Sequence, residues 1–283
     1  VPFAGYEVTS RTPKVYVFKG RLLHCPQELT LTRQAAEVSA VSSSFTDPRQ
    51  RRWELGHNVF GNSYTSALNI SNGKFFVDLE ARYPIGQEPI EGTVYVYNTG
   101  SIADWAGGGT LGSGPGQYTA VPMHNATLLS EQFISSMQGF MLKFKEDTLR
   151  INGVGSPVKF RIGLTAPDFT GVYPFGGNQR PQRAPQAAPS DKIHGYLKVG
   201  LTSRRSVSSV HLIEAEGTTD EFDNGWDGMQ LNTGRSSSAT LFVPSDYGDL
   251  QVSTSDNIVG DRFGIFNNGD TTYRLTVIRH RLD

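Results

Sequence analysis

The chain has 283 residues, 26 basic and 27 acidic side chains for a net charge of −1, and 37% hydrophobic residues. At roughly 150 residues per domain this length holds one large or two ordinary domains, and no apolar run approaches the roughly 18 residues of a membrane-spanning helix. The balanced charge, without long blocks of one sign, argues against a nucleic-acid footprint or an anionic-membrane surface. The aromatic content of 11% supplies packed cores rather than wholesale disorder.

In chain order the pattern is period two. Lys14 to Lys19 sets Val15 and Val17 against Tyr16 and Phe18, and Glu28 to Thr32 puts Leu29 and Leu31 on one face. Lys74 to Glu80 carries Phe75, Val77 and Leu79 together. Thr93 to Tyr97 sets Val94 and Val96 opposite Tyr95 and Tyr97, and Gly139 to Phe144 aligns Phe140, Leu142 and Phe144. Val158 to Leu164 alternates Val158, Phe160, Ile162 and Leu164 with Lys159 and Arg161. Further along, Leu197, Val199 and Leu201, then Val210 and Leu212, then Tyr273, Leu275 and Val277 repeat the pattern. Ala239 to Val243, Leu250 to Ser253 and Arg262 to Phe266 are shorter candidates. This is the signature of antiparallel sheet with one wet face. Helical spacing is confined to Leu128 to Met137, where Leu129, Phe133 and Met137 recur at every fourth residue; one or two turns are expected there.

Many short strands separated by turn residues predict an all-β protein of two antiparallel β-sandwich, jelly-roll-like domains. The boundary is a Pro/Gln/Gly-rich stretch. Residues 1–166 form the first block, 167–191 an ordered linker or excursion, and 192–283 the second block. An ordered, aperiodic excursion must lie on its own domains or on a neighbouring chain. Tyr173, Pro174, Phe175, Arg180, Pro181, Arg183 and Pro185 are its candidate contact residues.

Cys25 is the only cysteine, so no disulfide forms within the chain; that fits the cytosol and equally a large exported bacterial protein. It reads as a small buried hydrophobe. A nucleophile pair with His24 is disfavoured, because neighbours on a strand point to opposite faces. Gly107 to Gly112 satisfies G-x-G-x-x-G, but Ser113-Gly114-Pro115-Gly116 forbids the helix a phosphate loop needs, leaving a hairpin loop. No G-x-S-x-G, H-E-x-x-H or paired C-x-x-C occurs, and the six histidines are dispersed.

Thr218 to Asp227 concentrates acids in a turn-rich loop. Asp220, Asp223 and Asp227 are candidate oxygen ligands for a structural calcium ion. The plainer reading is a loop whose Asp side chains cap their own backbone, with Phe222 and Trp226 plugging the end of a sandwich. Trp53, Trp105, Tyr95, Tyr97 and Tyr118 are candidates for a sugar-stacking platform, or else core and cross-strand pairs.

Arg51 to Ala67 (RRWELGHNVFGNSYTSA), then Gly92 to Ser101 (GTVYVYNTGS), then Ile134 to Lys143 (ISSMQGFMLK) occur in the order of a module that this chain resembles, common in secreted Bacteroidetes surface proteins. Thr219 to Leu231 (TDEFDNGWDGMQL) is similar to the segment that follows a strand in the same architecture. The resemblance covers roughly residues 20–145 and 194–283 and implies a long, multi-domain exported protein, often handled by type IX secretion and often adhesive. It brings no shared catalytic residues. Gly61 and Asn62 supply a tight turn, Tyr64 fills a sandwich end, and Gln138-Gly139 allows a close bend before a buried strand. Relatives usually continue past the equivalent of Arg279 to Asp283, so this chain is expected to be a mature or excised portion of a longer precursor. The resemblance also raises O-glycosylation at Asp147-Thr148-Leu149 and Asp270-Thr271-Thr272, that is, at Thr148 and Thr271. Asn69-Ile70-Ser71 and Asn125-Ala126-Thr127 have the form of N-linked sequons and read as accidental in a bacterial protein.

The sequence therefore predicts a non-enzymatic extracellular, cell-surface protein: an adhesin or a structural subunit of a surface layer or filament. It would self-associate or join neighbouring subunits through sheet edges and the excursion. No resident cofactor beyond the possible calcium is expected, and host or environmental glycans are candidate partners. One alternative is a carbohydrate-binding module with that calcium. A second is a glycoside hydrolase, which needs two carboxylates facing one cleft.

Overall fold

The structure, a computed structural model, describes residues 3–5, 12, 14–15, 17, 19, 23, 27–32, 56–65, 67–70, 88, 90–98, 117–129, 133–144, 159–164, 191–204, 206–231, 239–267 and 269–281. Every regular element among them is a strand, as the period-two patterning requires. In the first block these are β1 (Gln27–Thr32), β2 (His57–Gly61), β3 (Leu68–Asn69), β4 (Thr93–Asn98), β5 (Gln117–Pro122), β6 (Phe133–Ile134), β7 (Gly139–Lys143) and β8 (Lys159–Leu164). The second block has β9 (Ile193–Thr202), β10 (Val207–Ala215), β11 (Gly228–Met229), β12 (Thr240–Pro244), β13 (Asp249–Ser255), β14 (Gly264–Phe266) and β15 (Arg274–Arg281).

The strands pair within their own blocks. The first block holds a four-stranded sheet in the order β2-β7-β4-β5, a β3-β6 pair, and a β1-β8 pair that joins its first and last strands. The second block is one sheet in the order β14-β12-β13-β10-β9-β15, with β11 against β13. All its pairs are antiparallel except β10 with β13.

The alternation in β4 and β7 serves two cores. Val94 and Val96 of β4 and Phe140 and Leu142 of β7 join Phe60, Phe144 and Leu31 in one cluster. The residues between them, Tyr95 and Met141, point the other way and join Val199, Leu201, Val210, Leu212, Leu241, Leu250 and Val252 of the second block. β5 does the same, with Val121 in the first cluster and Ala120 in the second. The four-stranded sheet is thus a wall shared by both cores, and burying it on both faces gives each side chain the full benefit of leaving water.

The turn chemistry read from Gly61 to Tyr64 is explicit. Asn62 is buried; its amide donates to Ile134 O (3.0 Å) and Ser135 O (3.1 Å), and its Oδ1 accepts Tyr64 N–H (3.0 Å). This pins Tyr64 in the core, where Phe3 meets it edge-on. At the bend before β7, Gln138 N–H donates to Ser135 O and Gln138 Oε1 accepts Ser135 N–H.

Three sequence expectations change. The sheet with one wet face is replaced, for β4, β5 and β7, by a sheet covered on both sides. Lys14, Val15, Val17 and Lys19 lie in no strand and are exposed, because no partner edge meets them among the described residues. Of the helical turns expected between Leu128 and Met137, the described residues show one turn closed by Leu129 N–H to Asn125 O (3.0 Å), then the extended β6 and a bend with Met137 at φ 66°. The Lys74 to Glu80 strand lies outside the described residues, as do Trp53, Trp105, Cys25, Thr148 and the excursion with Tyr173, Pro174, Phe175, Arg180, Pro181, Arg183 and Pro185.

Candidate functional site

The acidic loop Thr218 to Asp227 is the clamp between the blocks. Asn224 Oδ1 accepts Gly92 N–H (2.8 Å) and its amide donates to Ile90 O (3.1 Å). Gly225 O accepts His124 N–H (3.0 Å), Trp226 O accepts the Asn125 amide (2.6 Å), and Asp227 O accepts the Thr93 hydroxyl (2.7 Å). Below the loop, Gln251 reaches from β13 to β5, accepting Ala120 N–H (2.6 Å) and donating to Tyr118 O (3.2 Å). Gly225 sits at φ 84°, and a Cβ there would stand 3.0 Å from Met123 and 3.1 Å from His124. Gly225→Ala is therefore expected to destabilise the chain by about 1–2 kcal/mol through backbone conformation alone, and further through crowding. Urea unfolding measures this.

The three candidate calcium ligands are used as follows. Asp227 is buried, and its carboxylate accepts Asp223 N–H (2.7 Å) and Thr254 N–H (2.6 Å). Burial pushes its carboxyl well above the usual range, against the pull of those backbone donors. Asp223 caps the start of the loop, accepting Thr219 N–H (2.6 Å) and the Thr219 hydroxyl (3.1 Å). Asp220 is exposed and near Asp261, whose carboxyl is pushed up by burial and then by Asp220. No group of three or more metal-ligating side chains converges among the described residues. Phe222 stacks on Tyr247 (3.9 Å between ring centres) and Trp226 on His124 (4.7 Å), so both aromatics pack the seam.

Behind the loop lies a polar cluster that sequence reasoning missed. Lys143 Nζ is 2.5 Å from Glu91 Oε1, and both side chains are wholly buried. Tyr95 donates its hydroxyl to Glu91 Oε2 (2.5 Å), and Tyr247 donates to Oε1 (3.0 Å). Tyr95 Oη in turn accepts Met229 N–H (3.2 Å), so the cluster draws on both blocks. Burial, with the Glu91 charge beside it, raises the Tyr95 phenol well above its ordinary value. Tyr95 therefore forms no part of an exposed sugar platform. Tyr97 and Tyr118 are a half-buried cross-strand pair with ring centres 5.1 Å apart. Nothing in the sequence pattern marks Glu91 and Lys143, which are 52 residues apart and meet only when β4 and β7 align.

Two partly buried histidines complete the polar interior. His57 is lowered to about 3 by burial and then by Lys143. His211 is also lowered to about 3, by burial and then by Lys198; its Nδ1 lies 2.8 Å from Tyr196 Oη, and the rings stack. Of the modification candidates, Thr271 is exposed before β15. Asn125 is buried with its amide committed to Trp226 O and Thr254 Oγ1.

The surface feature with the clearest capacity to bind is β15. Among the described residues it ends the second-block sheet, paired over eight residues with β9 from Arg274↔Thr202 to Arg281↔Gly195. Leu275 and Val277 stand beside the buried Leu201 and Val199 and continue their apolar row, yet they are 48% and 63% exposed. Ile278, on the opposite face, is 49% exposed. An edge strand presents alternate backbone N–H and C=O groups outward, so this one offers a partner both a ladder and an apolar surface. The sequence RLTVIRHR has no proline or acid to blunt it, only arginines toward its ends.

Comparison with known proteins gives one informative match. No family model matches the chain, and no solved structure matches it. The chain is 28% identical over 256 residues, 87% of its own length, to the minor fimbrium subunit Mfa5 of Porphyromonas gingivalis. It spans 18% of the length of that protein.

Proposed function

We propose that the chain is a non-enzymatic structural piece of an extracellular surface filament, displayed at the cell surface, and that β15 is the edge through which it joins a neighbouring subunit. The observation that carries the reading is an eight-residue edge strand with three exposed aliphatic side chains. The similarity to a fimbrium subunit supports it. Edge strands of soluble proteins are normally short, charged or covered; one left open and apolar fits strand addition. The two blocks, sandwich-like and sharing the β2-β7-β4-β5 wall, supply the rigid support, and an adhesive role would fall to the loops at their ends. The excursion at 167–191 would add a second contact with the neighbour.

The chemistry of β15 also selects its partner. If two copies paired antiparallel about the centre of β15, Arg274 of each would face Arg281 of the other, and like charges directly opposite are destabilising. The fitting strand is apolar in its middle and acidic toward its ends. Val277→Lys places an unpaired charge in the apolar row. It is expected to reduce incorporation into surface filaments at least about tenfold, the equivalent of about 1.4 kcal/mol, while the purified chain melts as the unaltered one does. Quantifying the chain in sheared filament fractions reads the first effect. Undiminished incorporation would contradict the assignment of β15.

A further inference from the structure

We propose that the neighbour seated on β15 is a second copy of this chain, joined through β14, the strand at the other end of the same sheet. The inference rests on β15 being the joint and names what the joint takes. Among the described residues β14 is paired on one side only, with β12 at Thr240↔Phe266, Leu241↔Ile265 and Phe242↔Gly264. It is open in the way β15 is open. Ile265 stands beside the wholly buried Leu241 and continues its apolar row, yet it is 40% exposed; Phe263, just before the strand, is 42% exposed. Farther back, Val259 is 86% exposed on a tight turn that Gly260 completes at φ 99°. The other face of β14 is covered: Phe242 lies over Gly264, leaving no room for a Cβ, and packs on Phe266 with ring centres 4.6 Å apart. What stays open is the backbone edge and the side that carries Ile265.

Charge separates the two edges. Residues 256–270 (DNIVGDRFGIFNNGD) hold Asp256, Asp261 and Asp270 against the single base Arg262, whereas β15 (RLTVIRHR) holds Arg274, Arg279 and Arg281 and no acid. The stretch from Asp261 to Asp270 thus has the character that β15 asks of a partner, apolar in its middle and acidic toward its ends. Burial, and then the neighbouring Asp220, push the Asp261 carboxyl above its usual range, and among the described residues no cation pairs with either acid. An incoming arginine supplies that cation, and opposite charges facing each other across a joint are favourable where like charges are not. Within one copy the two edges are not paired, because β12, β13, β10 and β9 stand between them in the sheet. Each copy therefore presents two unlike, complementary edges. A contact between unlike patches adds subunit after subunit unless its rotation closes a ring.

Two single-cysteine variants test the joint: Val277→Cys and Ile265→Cys on separate chains, each also carrying Cys25→Ser to remove the native thiol. In filaments sheared from cells that make both variants, mild thiol oxidation should give a disulfide-linked pair of chains. Cells that make either variant alone should give none. Adding Asp261→Asn to the Ile265→Cys chain should lower the linked pair about two- to fivefold, the effect of losing one exposed ion pair. No linked pair in the mixed filaments would overturn the proposal. Val277→Lys separates that failure from failure of the joint itself. If it still lowered incorporation, β15 would remain a joint to a different protein; if incorporation were undiminished, neither reading would stand.

Discussion

Asp227→Ala is expected to lower stability by about 2–5 kcal/mol, because it strands two backbone N–H groups, at Asp223 and at the buried Thr254, that the carboxylate satisfies. Against a total of about 5–15 kcal/mol for an ordinary fold, that is a substantial fraction. The loss should also be localised. Asp227 sets the shape of the loop whose next contacts, at Asn224, Gly225 and Trp226, hold Gly92, His124 and Asn125. Hydrogen exchange in the variant should therefore quicken at the Gly92 and His124 amides before it quickens within β9 and β10. Urea unfolding with exchange measures both effects. A change below about 0.5 kcal/mol, the range of an ordinary surface substitution, would show that the carboxylate does not organise the seam.

The second large effect is acid destabilisation. His57 and His211 are held at about 3 in the folded chain against about 6.5 unfolded, so the fold favours their neutral rings. Their contribution is fully present above about pH 6.5 and is lost as pH falls from there toward about 3. Each histidine takes up to about 1.4 kcal/mol per pH unit, and the pair up to about 2.7. Between about pH 6.5 and about pH 4.5 the two together remove up to about 5 kcal/mol. Asp227 works in the opposite sense, since burial raises its carboxyl and protonation relieves it. The comparison of variants isolates the histidines better than the raw slope does. His211→Gln should remove about half of the histidine-linked slope of unfolding free energy against pH. An unchanged slope would mean that His211 ionises as freely in the fold as out of it.

The strand content was legible because alternation is a local property: Val94, Val96, Phe140, Leu142, Val199 and Leu201 announce their strands without reference to anything distant. What lies opposite the second face is a tertiary fact. Tyr95 and Met141 read as the outward side of a half-wet sheet, and only the arrival of the second-block sheet makes them core. β5 was missed because Gln-Tyr-Thr-Ala-Val-Pro alternates weakly; its Val121 and Ala120 each reach one of the two cores, and Gln251 ties its backbone to β13. Lys14 to Lys19 shows the converse, a strong period-two pattern with no edge to pair with among the described residues. The turn chemistry of Asn62 and Tyr64 was readable because Asn bonds to backbone two residues on. Glu91 and Lys143 were not, since no spacing rule links residues on separate strands. β15 illustrates the deepest limit. Its sequence matches that of a half-buried strand, and its openness appears only when the order of the sheet places it last.

The account turns on β15 being a joint between subunits, and a photo-reactive residue at position 277 tests that most directly. Irradiation of intact surface filaments should join the chain to a neighbouring subunit, with the adduct mapping to an extended segment that is apolar at its centre and acidic at its ends. If irradiation yields only uncrosslinked chain, or adducts confined within one chain, β15 is an ordinary free edge and the joint lies elsewhere.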